Sequence, residues 1–573
     1  MATVVAIRVG DTSPDWFGPL FLAVALGSGL MTGVAILLNM RRERLSLLAL
    51  ASALTRVWRE PTAAWVLFLF GWLLTLPLFA LQTTVLLKDS DSARLLASVL
   101  YVQHHGTEYL VETQETLLPH LILSPAVALG GIPAAKLVSI LSLQALAGVV
   151  AFLAWRLNRS VFAALVAVLA LTTLTAILER AFLLPMYPLM LALGFLGVYL
   201  ARRATVADTP RWRWGYAAAA GLCLFGSIEA HQVGQLFLVL TAFLVLTVRP
   251  GEALRGLSLV SLAFAVFYLP RAVINLMEGG LSHFFSNRVD FWVTKGYLVP
   301  IQRDFWDLAR TDYPEWFSRA PEGLLSVVGW GGILTVALGT AALAVWRGRI
   351  RRFALVWVLF FAAVVIYLKL PFYPRYFSIL TVGACLGASA TLAHLLRSPS
   401  GRSRQLAVLG AVLLAGFSAV GYYAMLREAH KLQGQVVGGP YDRLAALIPP
   451  DQGVIGTRSN YLNFTSTDVR AYGEQFLSEK EYVTFLTWPS DEAVLDVMRR
   501  HDARWVFVPR RPTYWVSEYH NVWLRPAYGK VARYPAMVAT SPAFCRVRSI
   551  GGVRLYRLNL GGPPLTHCPV RAG

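Results

Sequence analysis

The chain has 573 residues, of which 56% are hydrophobic and only 15% charged, with a mean hydropathy of +0.54 and a net charge of +20. These values exclude an ordinary soluble protein and define a polytopic helical membrane protein. The charge would suggest nucleic acid in a soluble chain, but here it falls mostly as arginine in short connections between apolar runs, where it reports topology.

The first residues, MATVVAIRVGDTSPDWFG, lack the charged start and small-residue cleavage site of a signal peptide, so the first span is expected to remain. Runs long enough to cross a bilayer fall near 18–40, 62–84, 134–155, 160–178, 182–201, 214–231, 232–248, 256–275, 324–346, 353–370, 376–396 and 405–425. Alternate connections carry the arginines: Arg41, Arg42 and Arg44 with Arg56 and Arg59; Arg156 and Arg159; Arg202, Arg203, Arg211 and Arg213; Arg249 and Arg255; Arg347 to Arg352; and Arg397, Arg402 and Arg404. The positive-inside rule places all of them in the cytoplasm. The opposite side then receives a loop at 86–133, turns at Glu179-Arg180 and near Glu229-His231, a loop at 276–323 and the turn PFYPRYF at 371–377.

The expected architecture is a transmembrane domain over 1–425 with about twelve helices, followed by an extracytoplasmic α/β domain over 426–573. In that second part Gly453–Thr457 and Trp505–Pro509 read as strands, Asp491–His501 as an amphipathic helix, and FCRVRSI with GVRLYRL as a hairpin. Cys223 and Cys385 lie in apolar runs and are expected to pack there. An extracytoplasmic location would permit a disulfide between Cys545 and Cys568.

The loop beginning LLKDSDSARLLASVLYV holds the most chemistry. Asp89 and Asp91 stand where an apolar run ends, and charged groups at the mouth of a membrane segment are costly to hold there. They either cap a helix starting at Ser92 or face one cleft, one as general base and the other orienting the acceptor or a metal. LLASVLYV and YLVETQETLLPHLIL have the pattern of helices lying along the membrane surface. Glu179 either joins the same cleft or pairs with Arg180. Lys369, Arg375 and Arg271 run against the charge bias. Arg375, flanked by Tyr373 and Tyr376, suits a phosphate through its planar fork, or snorkels to lipid headgroups. His104, His105, His120 and His231 lack any metal-ligand spacing.

The succession of an apolar span, the acidic DSDSARLLASVL, amphipathic surface helices and LPHLILSPAVALGG entering the next span resembles the membrane-embedded GT-C glycosyltransferases, especially the bacterial protein-mannosyltransferase-like and lipid A aminoarabinose-transferase-like group. LERAFLLPMYPLMLALGFL is similar to that family's second acidic site, at Glu179, and PRYFSIL to its Arg-Tyr turn. The resemblance implies an inverting transferase of the cell-envelope membrane that moves a sugar from a polyprenyl-phosphate donor to a lipid, glycan or protein acceptor, with no nucleic-acid partner. Asp89, Asp91 and Glu179 would be catalytic, and Arg375, Lys369, Arg271 and Tyr376 would bind donor phosphate. His104, His105, His120 and Glu229 would serve the acceptor or the loop, and the resemblance leaves the cofactor open, a divalent cation being compatible with it. The competing class is a secondary transporter or lipid flippase, which would place charges at mid-bilayer in repeated halves.

Overall fold

Apolar runs without access to water must satisfy every backbone group internally, and they do so here as helices. The computed structural model describes residues 71–75, 117–178, 186–243, 250–294, 330–342, 378–431, 440–449, 452–456, 471–472, 488–508 and 534–559, with a few isolated positions between them. The chain divides into two units. One comprises Met1–Gln82, Thr116–Val293 and Tyr297–Lys431; the other comprises Thr83–Glu115, Thr294–Gly296 and Leu432–Gly573. Residues 83–115 of the first polar loop thus group with the C-terminal part, where the sequence predicts a simple division near residue 425.

The first unit contains α1 (Leu117–Asn158), α2 (Val161–Thr172), α3 (Tyr187–Val206), α4 (Pro210–Ala230), α5 (Leu236–Phe243), α6 (Pro250–Thr294), α7 (Ser378–Arg397) and α8 (Gly401–Lys431), with a helical stretch at Trp330–Ala342. Starts follow the expected chemistry. Ser160 accepts from the Ala163 N–H to open α2, and Thr209 accepts from the Trp212 N–H to open α4 with Pro210 in its first turn. Among the described residues, five helices are long and apolar enough to cross a membrane: Ala134–Asn158, Tyr187–Val206, Gly251–Val273, Ile379–Arg397 and Gly401–Arg427. The spans predicted at 18–40 and 353–370 lie outside the described residues.

Two helices run past the predicted spans, whose limits agree with the apolar stretches Ala134–Asn158 and Gly251–Val273. Residues 117–133, assigned to the outer loop, are the opening turns of the single 42-residue helix α1. Likewise the loop predicted at 276–323 begins as helix, because α6 runs unbroken through Pro270 to Thr294. Hydropathy marks where a segment leaves hydrocarbon, not where its backbone hydrogen bonding stops. The predicted span 160–178, by contrast, is interrupted at Thr173 before a short helix at Thr175–Leu178.

Close packing rests on small residues and hydroxyls, as expected where lipid is as apolar as leucine. A Cβ on Gly221 of α4 would stand 2.6 Å from the Phe264 backbone N of α6, so the two helices run nearly backbone to backbone. Thr172 and Ser418 share a 2.7 Å hydrogen bond between α2 and α8, and Ser227 of α4 donates to the Met190 carbonyl of α3 at 2.9 Å. Helix α1 is central, 78% buried over its span. Helix α8 is peripheral at 22%, and exposes Leu406, Val412 and Val420. At one edge the arginines tie helix ends together: Arg156 donates to the Tyr199 hydroxyl at 3.0 Å, Arg203 to the Tyr216 hydroxyl at 3.0 Å, and Arg397 to the Asn158 carbonyl. Arginines that the topology argument groups on one side therefore meet at one edge of the bundle.

The second unit is an α/β sheet. Strands β1 (Gly453–Ile455), β2 (Ala471–Tyr472), β3 (Ala503–Val508), β4 (Phe544–Ile550) and β5 (Val553–Leu558) are ordered β2-β1-β3-β5-β4. β1 is parallel to β2 and to β3, whereas β5 is antiparallel to β3 and β4. Both faces are covered. Val506, Val508 and Tyr556 pack with Phe485, Trp488 and the apolar side of α9 (Asp491–Arg500), and with α10 (Tyr534–Thr540). Val454, Phe507 and Leu555 pack with Leu444, Ala445 and Ile448 on the other face. The predicted strands, helix and hairpin all appear here within two residues of their expected limits. Cys545 and Cys568 form a disulfide with a Cα separation of 5.1 Å.

Candidate active site

Opposite the arginine edge, the ends of α1, α3 and α4 converge. Glu229, the penultimate residue of α4, is 2% exposed, and its Oε2 accepts from the Leu117 N–H at 2.9 Å. That N–H is one of the donors a helix start leaves unsatisfied, and a carboxylate there also complements the helix dipole. Glu229, predicted as an acceptor or loop residue, therefore anchors the entry to α1. His120 lies one turn further along α1 and is buried. His231 ends α4 in an extended conformation, where its Nδ1 accepts from the Val233 N–H at 3.2 Å. The His231 ring lies 4.3 Å from that of Tyr187, which opens α3. Gly234 completes the turn because a Cβ there would stand 2.4 Å from the Ser227 carbonyl.

Arg271 is predicted as a cation at the outer end of a span. It lies near the end of the apolar stretch Gly251–Val273, within helix α6 and directly after Pro270, and is only 4% exposed. From the arginine-rich start of α6 it is about twenty residues on, or ~30 Å at the helical rise. Lys136 occupies the same depth on α1, about twenty residues before Arg156, and is 1% exposed. Sequence analysis passes over Lys136. The available signal was that it is the single charged side chain in the apolar run 134–155. Two buried cations thus lie about a membrane thickness from the arginine edge.

Asp89, Asp91, His104, His105, Glu179, Lys369, Arg375 and Tyr376 lie outside the described residues. The helix expected from Ser92 onward is present at Ser92, Leu95, Leu96 and Val99, and Ser92, Leu96 and Val99 are buried, as the i, i+4, i+7 spacing requires. Among the described residues no three His, Cys, Asp or Glu side chains group to hold a metal ion.

This fold is shared with solved structures of ArnT and of an archaeal oligosaccharyltransferase. The structure of ArnT from Cupriavidus metallidurans bound to undecaprenyl phosphate superposes with a TM-score of 0.52 at 15% identity, covering 87% of this chain and 99% of that one. The oligosaccharyltransferase of Archaeoglobus fulgidus, tethered with an acceptor peptide containing the NVT sequon, superposes with a TM-score of 0.52 at 12% identity over 88% of this chain and 74% of that one. The same enzyme in complex with Zn and sulfate gives 0.51 at 12% identity, over 87% and 74%. No family model matches the chain. No curated protein matches it by sequence.

Proposed function

We propose that the protein is an inverting glycosyltransferase that moves a sugar from a polyprenyl-phosphate donor to a lipid, glycan or protein hydroxyl on the extracytoplasmic face of the cytoplasmic membrane. The observation that carries this is the fold shared with ArnT along nearly the whole of that chain. The cations at one depth of the bundle support it, because a lipid-linked phosphate entering from the bilayer presents its charge at that depth. Lys136 and Arg271 would grip this phosphate together with Arg375, Lys369 and Tyr376.

Asp89 takes the acceptor's hydroxyl proton as the oxygen attacks the anomeric carbon, and Asp91 and Glu179 orient the reacting groups. The bond from that carbon to the phosphate oxygen breaks, its electron pair leaves with the polyprenyl phosphate, and the anomeric configuration inverts. Phosphate neutralised by cations leaves without a strong general acid. His104, His105 and His120 lie toward the acceptor side in this scheme, and the carboxylates are the group a divalent cation would use.

Sugar transfer from a polyprenyl-phosphate donor by purified protein in detergent tests the assignment. Asp89→Asn should lower turnover by about 10²–10⁴-fold while donor binding stays intact. A helix cap would survive the same change, since Asn caps nearly as well as Asp. Near wild-type transfer by both Asp89→Asn and Asp91→Asn would falsify the catalytic role of this loop.

A further inference from the structure

The turns that join α1 to α2 and α7 to α8 lie side by side. Arg397, which ends α7, donates to the Asn158 carbonyl at the end of α1, and α2 packs against both α7 and α8. Arg404 folds back over the second turn, its Nε donating to the Ser398 carbonyl at 2.9 Å. Arg156 and Arg159 stand at the first turn, their guanidinium groups 5.7 and 5.6 Å from the centroid of the Trp155 ring. Arg402 lies in the first turn of α8. Arg156, Arg159, Arg397, Arg402 and Arg404 therefore share one patch, and residues 155–161 and 394–405 hold no Asp or Glu. Among the described residues, Arg159, Arg397, Arg402 and Arg404 have no carboxylate partner.

From this patch an apolar stripe runs along α8. Leu406, Leu409, Leu413 and Val420 are exposed, and a Cβ added at Gly416 would meet no atom within 4 Å. Counted from Arg402, these positions follow at intervals of four, three, four, three and four residues, which is a single helix face. Val420 is 18 residues beyond Arg402, or ~27 Å at the helical rise, close to the ~30 Å hydrocarbon core of a bilayer. One face thus passes from a cluster of cations into hydrocarbon.

We infer that this patch and stripe bind an anionic phospholipid, its phosphate against Arg402 and the neighbouring arginines and an acyl chain along Leu406, Leu409 and Leu413. The site is distinct from the one proposed for donor phosphate, because Lys136 and Arg271 lie about a membrane thickness away. Charge decides the occupant. The guanidinium fork matches a phosphate, and basic groups between helix ends hold anionic headgroups at a membrane surface. A second copy of the chain meeting this face about a two-fold axis would set the same arginines against themselves. A soluble phosphate would leave the stripe uncovered.

Native mass spectrometry of the purified full-length protein in detergent tests this with phosphatidylglycerol, phosphatidylcholine of the same chains, and glycerol phosphate, which carries the anion without chains. Phosphatidylglycerol should bind about tenfold or more tighter than phosphatidylcholine, and glycerol phosphate should not bind at the same concentrations. Arg159→Gln with Arg402→Gln should weaken phosphatidylglycerol binding about tenfold and leave phosphatidylcholine as in wild type. Should this pair melt below wild type, Arg402→Gln alone, at an exposed position, should show a smaller loss in the same direction. Arg211→Gln with Arg427→Gln removes equal charge from exposed positions elsewhere and should keep the preference. Equal affinity for the two lipids, binding of glycerol phosphate as tight as that of the anionic lipid, wild-type binding by the first pair, or an equal loss in the second would overturn the inference. So would a lipid-free dimer that Leu409→Arg dissociates.

Discussion

Lys136 shows how much a single charge can specify. Near the start of an apolar run and buried, a lysine costs energy to desolvate, and that cost persists only where something offsets it. Lys136→Met keeps the length and flexibility of the side chain and removes the charge. If Lys136 holds donor phosphate, donor affinity should fall by about 1.5–3 kcal/mol, or roughly ten- to a hundredfold in Kd, while the melting temperature holds or rises. Titrating a polyprenyl-phosphate donor against the variant reads the first quantity and thermal melting the second. A lower melting temperature with unchanged donor affinity would make Lys136 a structural residue of α1. Glu229 is a contrasting case: its carboxylate was visible in the sequence as an outer-face acid, but its bond to the Leu117 N–H, 112 residues away, was not.

At the scale of elements, the C-terminal sheet was the most legible part. Alternation in FCRVRSI and GVRLYRL, a double glycine between them and the amphipathic Asp491–Arg500 are local signals, and local signals suffice for a hairpin and a capped helix. Strand order was not legible, since β1, β2 and β3 are joined by long connections and pair through contacts remote in sequence. The disulfide lies between these cases: the cysteines were evident, their proximity was not. It closes a separation of 23 residues between β4 and the C-terminal tail. Cys545→Ser with Cys568→Ser should therefore destabilise the sheet by about 3 kcal/mol. A lower melting temperature of the wild type under reductant, absent in the double variant, checks it. Melting curves indifferent to reductant would show that the bond does not stabilise the protein.

For the whole molecule, orientation follows from one asymmetry. Arg156, Arg203 and Arg397 lie in separate connections, yet their hydrogen bonds link the ends of α1, α3, α4 and α7 at a single edge. If that edge faces the cytoplasm, as the positive-inside rule predicts, the C-terminal sheet is expected outside, in the compartment where a disulfide persists. A C-terminal alkaline phosphatase fusion should therefore be active, and a fluorescent-protein fusion exported by the general secretory route should be dark. The reverse pattern would invert the topology and remove the basis for every outer-face assignment.

Composition and hydropathy by themselves determined that this chain is a helical membrane protein with a polar C-terminal part, because the bilayer admits so few backbone solutions. Charge asymmetry determined which connections share a side, and short acidic and Arg-Tyr stretches pointed to the family resemblance. Only the tertiary structure decided that α1 and α6 continue beyond the apolar runs, since helical hydrogen bonding is indifferent to where hydrocarbon ends. Only it brought Lys136 and Arg271 to one depth, Glu229 to the first turn of α1 and Arg397 to the carbonyl of Asn158. Those placements depend on helix packing between residues far apart in the chain, and no local pattern encodes them.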